Sequence, residues 1–241
     1  MESEKLGFVE RARRLLERVE YRRADTDADK HAIYRLRHDA YMRAGTVEPR
    51  PSKMFHDSLD EADNVWLIGI LIDGELASSL RLHISATSEA PLPVSAAFPD
   101  VVVPHLDAHR IVIDPTRFVS KLEFSRNFPE LPYITIRPTF LAAEFFAAHY
   151  ITVACLTEHR AFYRRMFGGE LWQEPRPYPN FNRPMALIGH ACHTLRERSY
   201  KRYPFYESSA VERKRLFSRS SNVEEEEVLR AIGVEAEVGV A

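Results

Sequence analysis

Four carboxylates crowd one short stretch, Phe55-His56-Asp57-Ser58-Leu59-Asp60-Glu61-Ala62-Asp63-Asn64. Such a cluster can orient a water, polarise an ammonium group or take its proton. By itself it also reads as a solvated acidic turn with helix-capping aspartates. It is no calcium loop, because it has neither the bend glycine nor the closing glutamate of an EF-hand. Arginines are the second ingredient. Arg37 lies in Tyr34-Arg35-Leu36-Arg37-His38, with Tyr41 one helical turn further on. An inward Arg37 would need a carboxylate, and the acidic stretch is the nearest supply. Arg81 lies in Ser79-Leu80-Arg81-Leu82, where strand alternation separates it from its two leucines and suggests a solvent-facing side chain. Asp107, His109, Arg110, Asp114 and Arg117 bracket an apolar strand, and charged groups at strand ends often line clefts. Arg160, Arg164 and Arg165 fall in one helical segment, either a solvated basic face or a dock for an acidic partner.

Stepping outward, the elements that must hold these groups alternate between helix and strand. Residues 5–20 carry an amphipathic helical stripe, and 19–24 suit a short strand. Asp25-Thr26-Asp27 caps a helix over 28–44 that Gly45 closes. Strands are expected at 65–71 and 76–84, joined through Asp73-Gly74 as a hairpin. A strand at 109–113 should end at Asp114-Pro115, and a loop should run on to Pro132. A helix over 136–149, a buried strand at 150–156, a helix over 157–167 and a strand at 185–188 complete the pattern. This order predicts a mixed α/β sheet covered by helices. The organisation expected is one domain over 1–192 and a charged, helical tail over 193–241 that includes the acidic run Glu224 to Glu227.

Composition narrows the classes. The 241 residues carry 33 basic and 35 acidic side chains, so nothing argues for nucleic-acid binding. Cys155 and Cys192 are too few for a disulfide scaffold or a cysteine-rich zinc site, and no metal is expected. No apolar run is long enough to span a membrane, and a cytoplasmic setting is the default expectation. Neither a phosphate-binding loop nor a dinucleotide fingerprint occurs. Lysine is confined to Lys5, Lys30, Lys53, Lys121, Lys201 and Lys214, so most cations are planar forks suited to carboxylates and phosphates.

Taken in order, these motifs resemble the N-acyl amino acid synthases of the FeeM type, relatives of the acyl-homoserine lactone synthases. The resemblance runs over residues 21–189. It is carried by Arg35-Leu36-Arg37-His38-Asp39-Ala40-Tyr41, by Asp57-x-x-Asp60 six residues before Trp66, and by Ser79-Leu80-Arg81-Leu82. Asp107-x-x-Arg110 is aligned with the Glu-x-x-Arg of the lactone synthases. Ile113-Asp114-Pro115-Thr116-Arg117-Phe118 and Glu158-His159-x-x-Phe162-Tyr163-Arg164-Arg165 look specific to the N-acyl amino acid branch. Asp107 for Glu, Tyr41 for Phe and a missing tryptophan turn the reading away from lactone synthases, whose second substrate is S-adenosylmethionine.

The resemblance implies a GNAT-like acyltransferase fold, with a mixed, mostly antiparallel sheet flanked by helices. It implies transfer of a long acyl chain from acyl-carrier protein to the α-amine of an amino acid. The acyl-phosphopantetheine arm is then a co-substrate, with no cofactor bound. Carrier protein is favoured over coenzyme A because no Arg- and Gly-rich pyrophosphate loop lies between Asp114 and Pro138. The roles implied are proton transfer at Asp57 or Asp60, with Arg110 and Asp114 also catalytic. Arg37, Arg81, Arg117, Tyr41 and Trp66 would bind substrate, although Arg37 and Arg110 could equally lock the acidic loop. Arg160, Arg164 and Arg165 would meet the carrier protein, with Arg126 and Arg137 behind them. Residues 136–146 could line an acyl tunnel or be plain core. A lactone synthase and a non-catalytic lipid- or carrier-binding module are the alternatives.

Overall fold

The computed structural model describes residues 6–179, 181–218 and 232–233. Its centre is a seven-stranded sheet in the order β1-β2-β3-β4-β5-β7-β6. The strands are β1 (Val19–Arg23), β2 (Val65–Ile72), β3 (Glu75–Ser85), β4 (Val112–Ser120), β5 (Tyr150–Cys155), β6 (Glu170–Arg176) and β7 (Met185–Ala191). All neighbours are antiparallel except β4 and β5, giving the mixed, mostly antiparallel sheet expected. Asp73 and Gly74 both adopt positive φ (51° and 82°), the two-residue hairpin geometry that matches strand twist.

Helices cover both faces. On one lie α1 (Phe8–Leu16), α5 (Leu131–Phe145) and α7 (Ala210–Phe217), against a core that includes Ile68, Leu80, Leu82 and Ile84. On the other lie α2 (Asp27–Ala44), α3 (Pro99–Asp107) and short 3-10 turns at Ser58–Glu61 and Pro93–Ala96. α2 is capped by the Thr26 side chain and closed by Gly45 at φ 64°, as its sequence predicts. Two shorter helices complete the set, α4 (Leu122–Asn127) and α6 (Arg160–Phe167).

Four expectations are corrected. β4 does not stop at Asp114-Pro115 but runs through both to Ser120. Its pairing with β5 is confined to Val112–Tyr150 and Ile113–Ile151, so beyond Ile113 β4 is an edge on that side, where proline is tolerated. α5 begins at Leu131, which leaves Pro138 inside the helix. Proline cannot donate to the carbonyl four residues back, and Tyr21 donates to that Ile134 carbonyl instead (2.8 Å). The polar, Pro-bearing stretch 85–106, for which no element is expected, leads into α3, and an edge strand, β6, follows α6.

The fourth concerns the tail. Leu195, Tyr200, Tyr203, Phe205, Tyr206, Leu216 and Phe217 are buried in the same core as α5. Arg137, also buried, donates to the carbonyls of Phe205 (2.6 Å) and Glu207 (2.7 Å) and pairs with Glu212. Packing therefore gives no boundary at 192. A chain ended after Cys192 would expose the outer face of α5, and we expect it to lose cooperative thermal unfolding. A sharp transition close to that of the full chain would contradict this. The acidic run at 224–227 lies outside the described residues.

Candidate functional site

The site begins where β4 and β5 separate. A cavity of about 560 Å³ opens between residues 115–120 of β4 and residues 154–156 at the end of β5. α2 walls it with Tyr41, α6 with Tyr163, and the β6–β7 connection with Tyr178, Phe181 and Asn182. Opposite Leu80, β4 carries a bulge, because Ser79 pairs with Val119 but Arg81 already pairs with Thr116. Arg117, in the bulge, has a φ of 54°, which is strained for a side chain of this kind.

Register decides which residues face the cavity. Arg81 lies opposite Thr116 and His83 opposite Asp114, so these four share one face of the sheet. Leu80, Leu82 and Ile84 point to the core on the other. Arg81 is therefore not solvent-facing: it is 1% exposed. Trp66 pairs with Leu82, which sends it into the core against Phe146 and Phe217 rather than toward a substrate.

The acidic stretch folds as a 3-10 turn laid on this polar face. Asp57 caps it and Asp60 reaches back to the Asp57 amide (3.0 Å), a reciprocal box written into the Asp57-x-x-Asp60 spacing. Arg81 Nη1 donates to both Asp57 (2.7 Å) and Asp60 (3.0 Å), and its Nε to Thr116 (3.0 Å). Arg37 donates to Asp60 (2.8 Å) and Arg117 to Asp57 (2.5 Å). The neutral ring of His83 donates to the Leu59 carbonyl (2.9 Å) and pins the turn from below. The bland reading of the acidic stretch thus fails: Asp60 is 1% exposed and part of a buried ion network.

Charge makes these carboxylates poor proton acceptors. Burial pushes Asp57 up, but Arg81 and Arg117 more than offset it and hold the group at about 2. Asp60 is likewise held low by Arg37 and Arg81 against its burial. Of the two roles open to the acidic turn, the geometry matches locking.

Arg117 is different. Its guanidinium lies over the rings of Phe55 (4.7 Å) and Phe181 (5.2 Å), and among the described residues its Nε and Nη1 have no hydrogen-bond partner. Three guanidiniums (Arg37, Arg81, Arg117) thus share two carboxylates, and Arg117, which lines the cavity, keeps donors to spare. A buried guanidinium with unspent N–H groups favours a further acceptor, and a carboxylate is the strongest one.

Other expected residues fall as follows. Tyr41 lines the cavity edge-on to Phe55 and Phe181. Asp107 ends α3 and Arg110 is exposed in the following turn, away from the cavity. The Asp-x-x-Arg spacing that reaches the site is Asp114-x-x-Arg117. Asp114 is fully buried on the polar face, two residues before Thr116. Residues 136–146 are core and do not line the cavity, whose apolar walls come from Phe118, Val119, Cys155, Leu156 and Met185. Arg164 and Arg165 are exposed on α6, and Arg160 is loosely paired with Glu174 (3.6 Å). Arg126 is exposed on α4, whereas Arg137 is buried away from any docking surface.

Tyr163 was quoted from sequence only within its motif, and Tyr178, Phe181 and Asn182 were not singled out. A signal existed for Tyr178 and Phe181: aromatic side chains inside a Pro-rich connection, Pro177-Tyr178-Pro179-Asn180-Phe181, where surface loops seldom need them. Asn182 donates to the Gly45 carbonyl (3.4 Å) and Arg183 pairs with Glu158 (2.6 Å), which folds this connection over the cavity.

Among the described residues no group of histidine, cysteine, aspartate and glutamate could hold a metal ion, and no helix is long and apolar enough to cross a membrane. A family profile described as N-acyl amino acid synthase FeeM matches residues 32–190. Among solved structures, FeeM from uncultured soil microbes superposes with a TM-score of 0.63 at 14% identity, over 76% of this chain and 95% of that one. BjaI, a CoA-dependent acyl-homoserine lactone synthase, gives 0.56 at 16% identity over 88% and 97%. The acyl-homoserine lactone synthase LasI gives 0.52 at 15% identity over 73% and 92%. At these identities the structures show a shared fold. None of the curated proteins matches the chain.

Proposed function

The chain belongs to the FeeM family of N-acyl amino acid synthases and is an acyltransferase of GNAT-like fold; from this we propose that it moves a long-chain acyl group from acyl-carrier protein to the α-amine of an amino acid. One observation carries the choice of acceptor: Arg117 is a buried guanidinium of the cavity lining whose Nε and Nη1 have no partner among the described residues. A free amino acid brings the carboxylate that would satisfy it. Held there, its amine lies beside the bulge, where the thioester carbonyl would meet it in attack geometry. Backbone N–H groups at the bulge are out of register with β3 and suit the oxyanion. The apolar walls at Phe118, Val119, Leu156 and Met185 receive the acyl chain. Tyr163, held protonated by burial, is the phenol at hand for the departing thiolate.

Two features support a protein-borne thioester. The link between β4 and α4 is the single residue Lys121, which leaves no room there for a glycine-rich pyrophosphate loop; its amine pairs with Glu75 (2.6 Å). α6 starts at the cavity rim, where His159 lines it, and carries exposed Arg164 and Arg165 outward toward where an acidic carrier would dock. Arg164→Glu is therefore expected to raise KM for acyl-carrier protein about tenfold, with a small thioester unaffected. Equal loss with both donors would remove the docking role.

The direct test is mass spectrometry of organic extracts from expressing cells. N-acyl amino acids are expected, and Arg117→Met should lower kcat/KM for the amino acid about 100-fold, the scale of two lost charge-assisted hydrogen bonds. Lactones in the extract would favour autoinducer synthesis, and no acylated product at all a non-catalytic module.

A further inference from the structure

Arg117 Nε and Nη1 have no hydrogen-bond partner among the described residues, and both are closed off from solvent. An acceptor carboxylate can reach them only if something above them moves. Two rings lie against this guanidinium, Phe55 at 4.7 Å and Phe181 at 5.2 Å. Phe55 is 1% exposed, and its amide is fixed to the Tyr34 carbonyl of α2 (3.0 Å). Phe181 is half-buried, lines the cavity and belongs to the β6–β7 connection. It is the outer of the two rings, and it also packs edge-on to Tyr41 (5.6 Å).

We infer that Phe181 is the gate of the acceptor site: its ring covers Arg117 until an acceptor carboxylate displaces it. The inference rests on the amino-acid-acylating reading above. A ring and an anion compete for one cation. The carboxylate supplies charge-assisted hydrogen bonds to N–H groups that the ring leaves unmet, so the anion prevails. No covalent bond changes in the exchange.

The way Phe181 is held suits a part that opens. Pro177, Pro179 and Pro184 have no N–H with which to bond the body of the protein. The Phe181 amide turns back on the Tyr178 carbonyl (3.2 Å), within the same connection. Next to it, Asn182 reaches the Gly45 carbonyl over a long 3.4 Å, and Arg183 pairs with Glu158 at 2.6 Å. The side chains of that pair are about half exposed (51% and 48%), and a pair of this kind costs little to break. Arg117 stays in place when the ring leaves, because Asp57 holds its Nη2 (2.5 Å) and the buried Phe55 remains against it. Opening therefore uncovers a guanidinium that the rest of the site already holds.

The test has two arms on the full chain. In the first, without substrate, phenylglyoxal modifies accessible arginines and peptide mass spectrometry follows Arg117. Phe181→Ala should label there about tenfold faster than the wild type, the scale of a tenfold gain in the open population. Phe181→Leu, which restores an apolar cover, should stay close to the wild type. Glu158→Gln loosens Arg183 from outside the cavity and should also speed labelling, so the readout does not depend on the Phe181 variant folding. In the second arm, an octanoyl N-acetylcysteamine thioester is given with a mixture of the common amino acids. Phe181→Ala and Glu158→Gln should lower KM for the amino acid acylated, by up to about tenfold, because less of the enzyme is held behind the ring. Equal labelling of Arg117 in the wild type and both variants, or a KM that rises at full kcat, would overturn the gate alone. A wild type that acylates no amino acid would overturn the reading of the reaction and this role with it.

Discussion

Asp60→Asn is expected to unfold about 10 °C below the wild type, a loss of about 3–5 kcal/mol, the usual scale for breaking a buried ion pair. Asp60 is the hub of Arg37 and Arg81, and the side chains on both sides of the Arg37 pair are wholly excluded from solvent. Removing its charge leaves Arg37 buried without a carboxylate and Arg81 with Asp57 alone. The pH dependence follows from the direction of the shift. Asp60 is held below its unfolded value, so its contribution is full above pH 4 and is lost as pH falls through the folded pKa. Asp57→Asn should be milder in melting, because the Asp57 side chain is partly solvated (20%), but should loosen Arg117 and weaken acceptor binding. A melting curve of Asp60→Asn that overlays the wild type, with product formation abolished, would instead restore the catalytic role for Asp60.

Asp114→Asn should do the opposite to stability. A carboxyl raised from near 4 in the unfolded chain to about 7 in the fold opposes folding once it ionises, by about 4 kcal/mol when both states are fully charged. The native state binds the extra proton, so wild-type stability should fall as pH rises from about 4 to 7 on account of this group. Asparagine carries no such charge. Urea unfolding should therefore find the variant level with the wild type at pH 4 and more stable by up to about 4 kcal/mol at pH 8.5. Equal stabilities at both pH values would mean that the carboxyl is not held neutral in the fold.

Much of the architecture was legible from local chemistry. Asp73-Gly74 allows one tight hairpin, and Thr26 and Gly45 bound α2 because a hydroxyl satisfies the first amides and glycine takes positive φ at the last turn. Asp57-x-x-Asp60 is a capping box in itself. β4 was misjudged because Asp114-Pro115 is a stop signal everywhere except beside a gap in a sheet. The segment after 192 read as a charged tail because its many charges dominate the pattern, yet its tyrosines and phenylalanines are the ones that meet α5.

By itself the sequence determined the family, the helix and strand order, and the residue types of the site, because caps, turns and motif spacing are local. Only the tertiary structure decided what those residues do. Whether Arg81 faces water or two aspartates depends on what lies across its strand. Whether Trp66 meets substrate or core depends on its pairing with Leu82. Arg117 becomes a buried guanidinium with unspent N–H groups, and Asp114 a carboxyl raised by burial, through neighbours that come from other elements. Burial and register set charge and reach, and neither is a property of any segment taken alone.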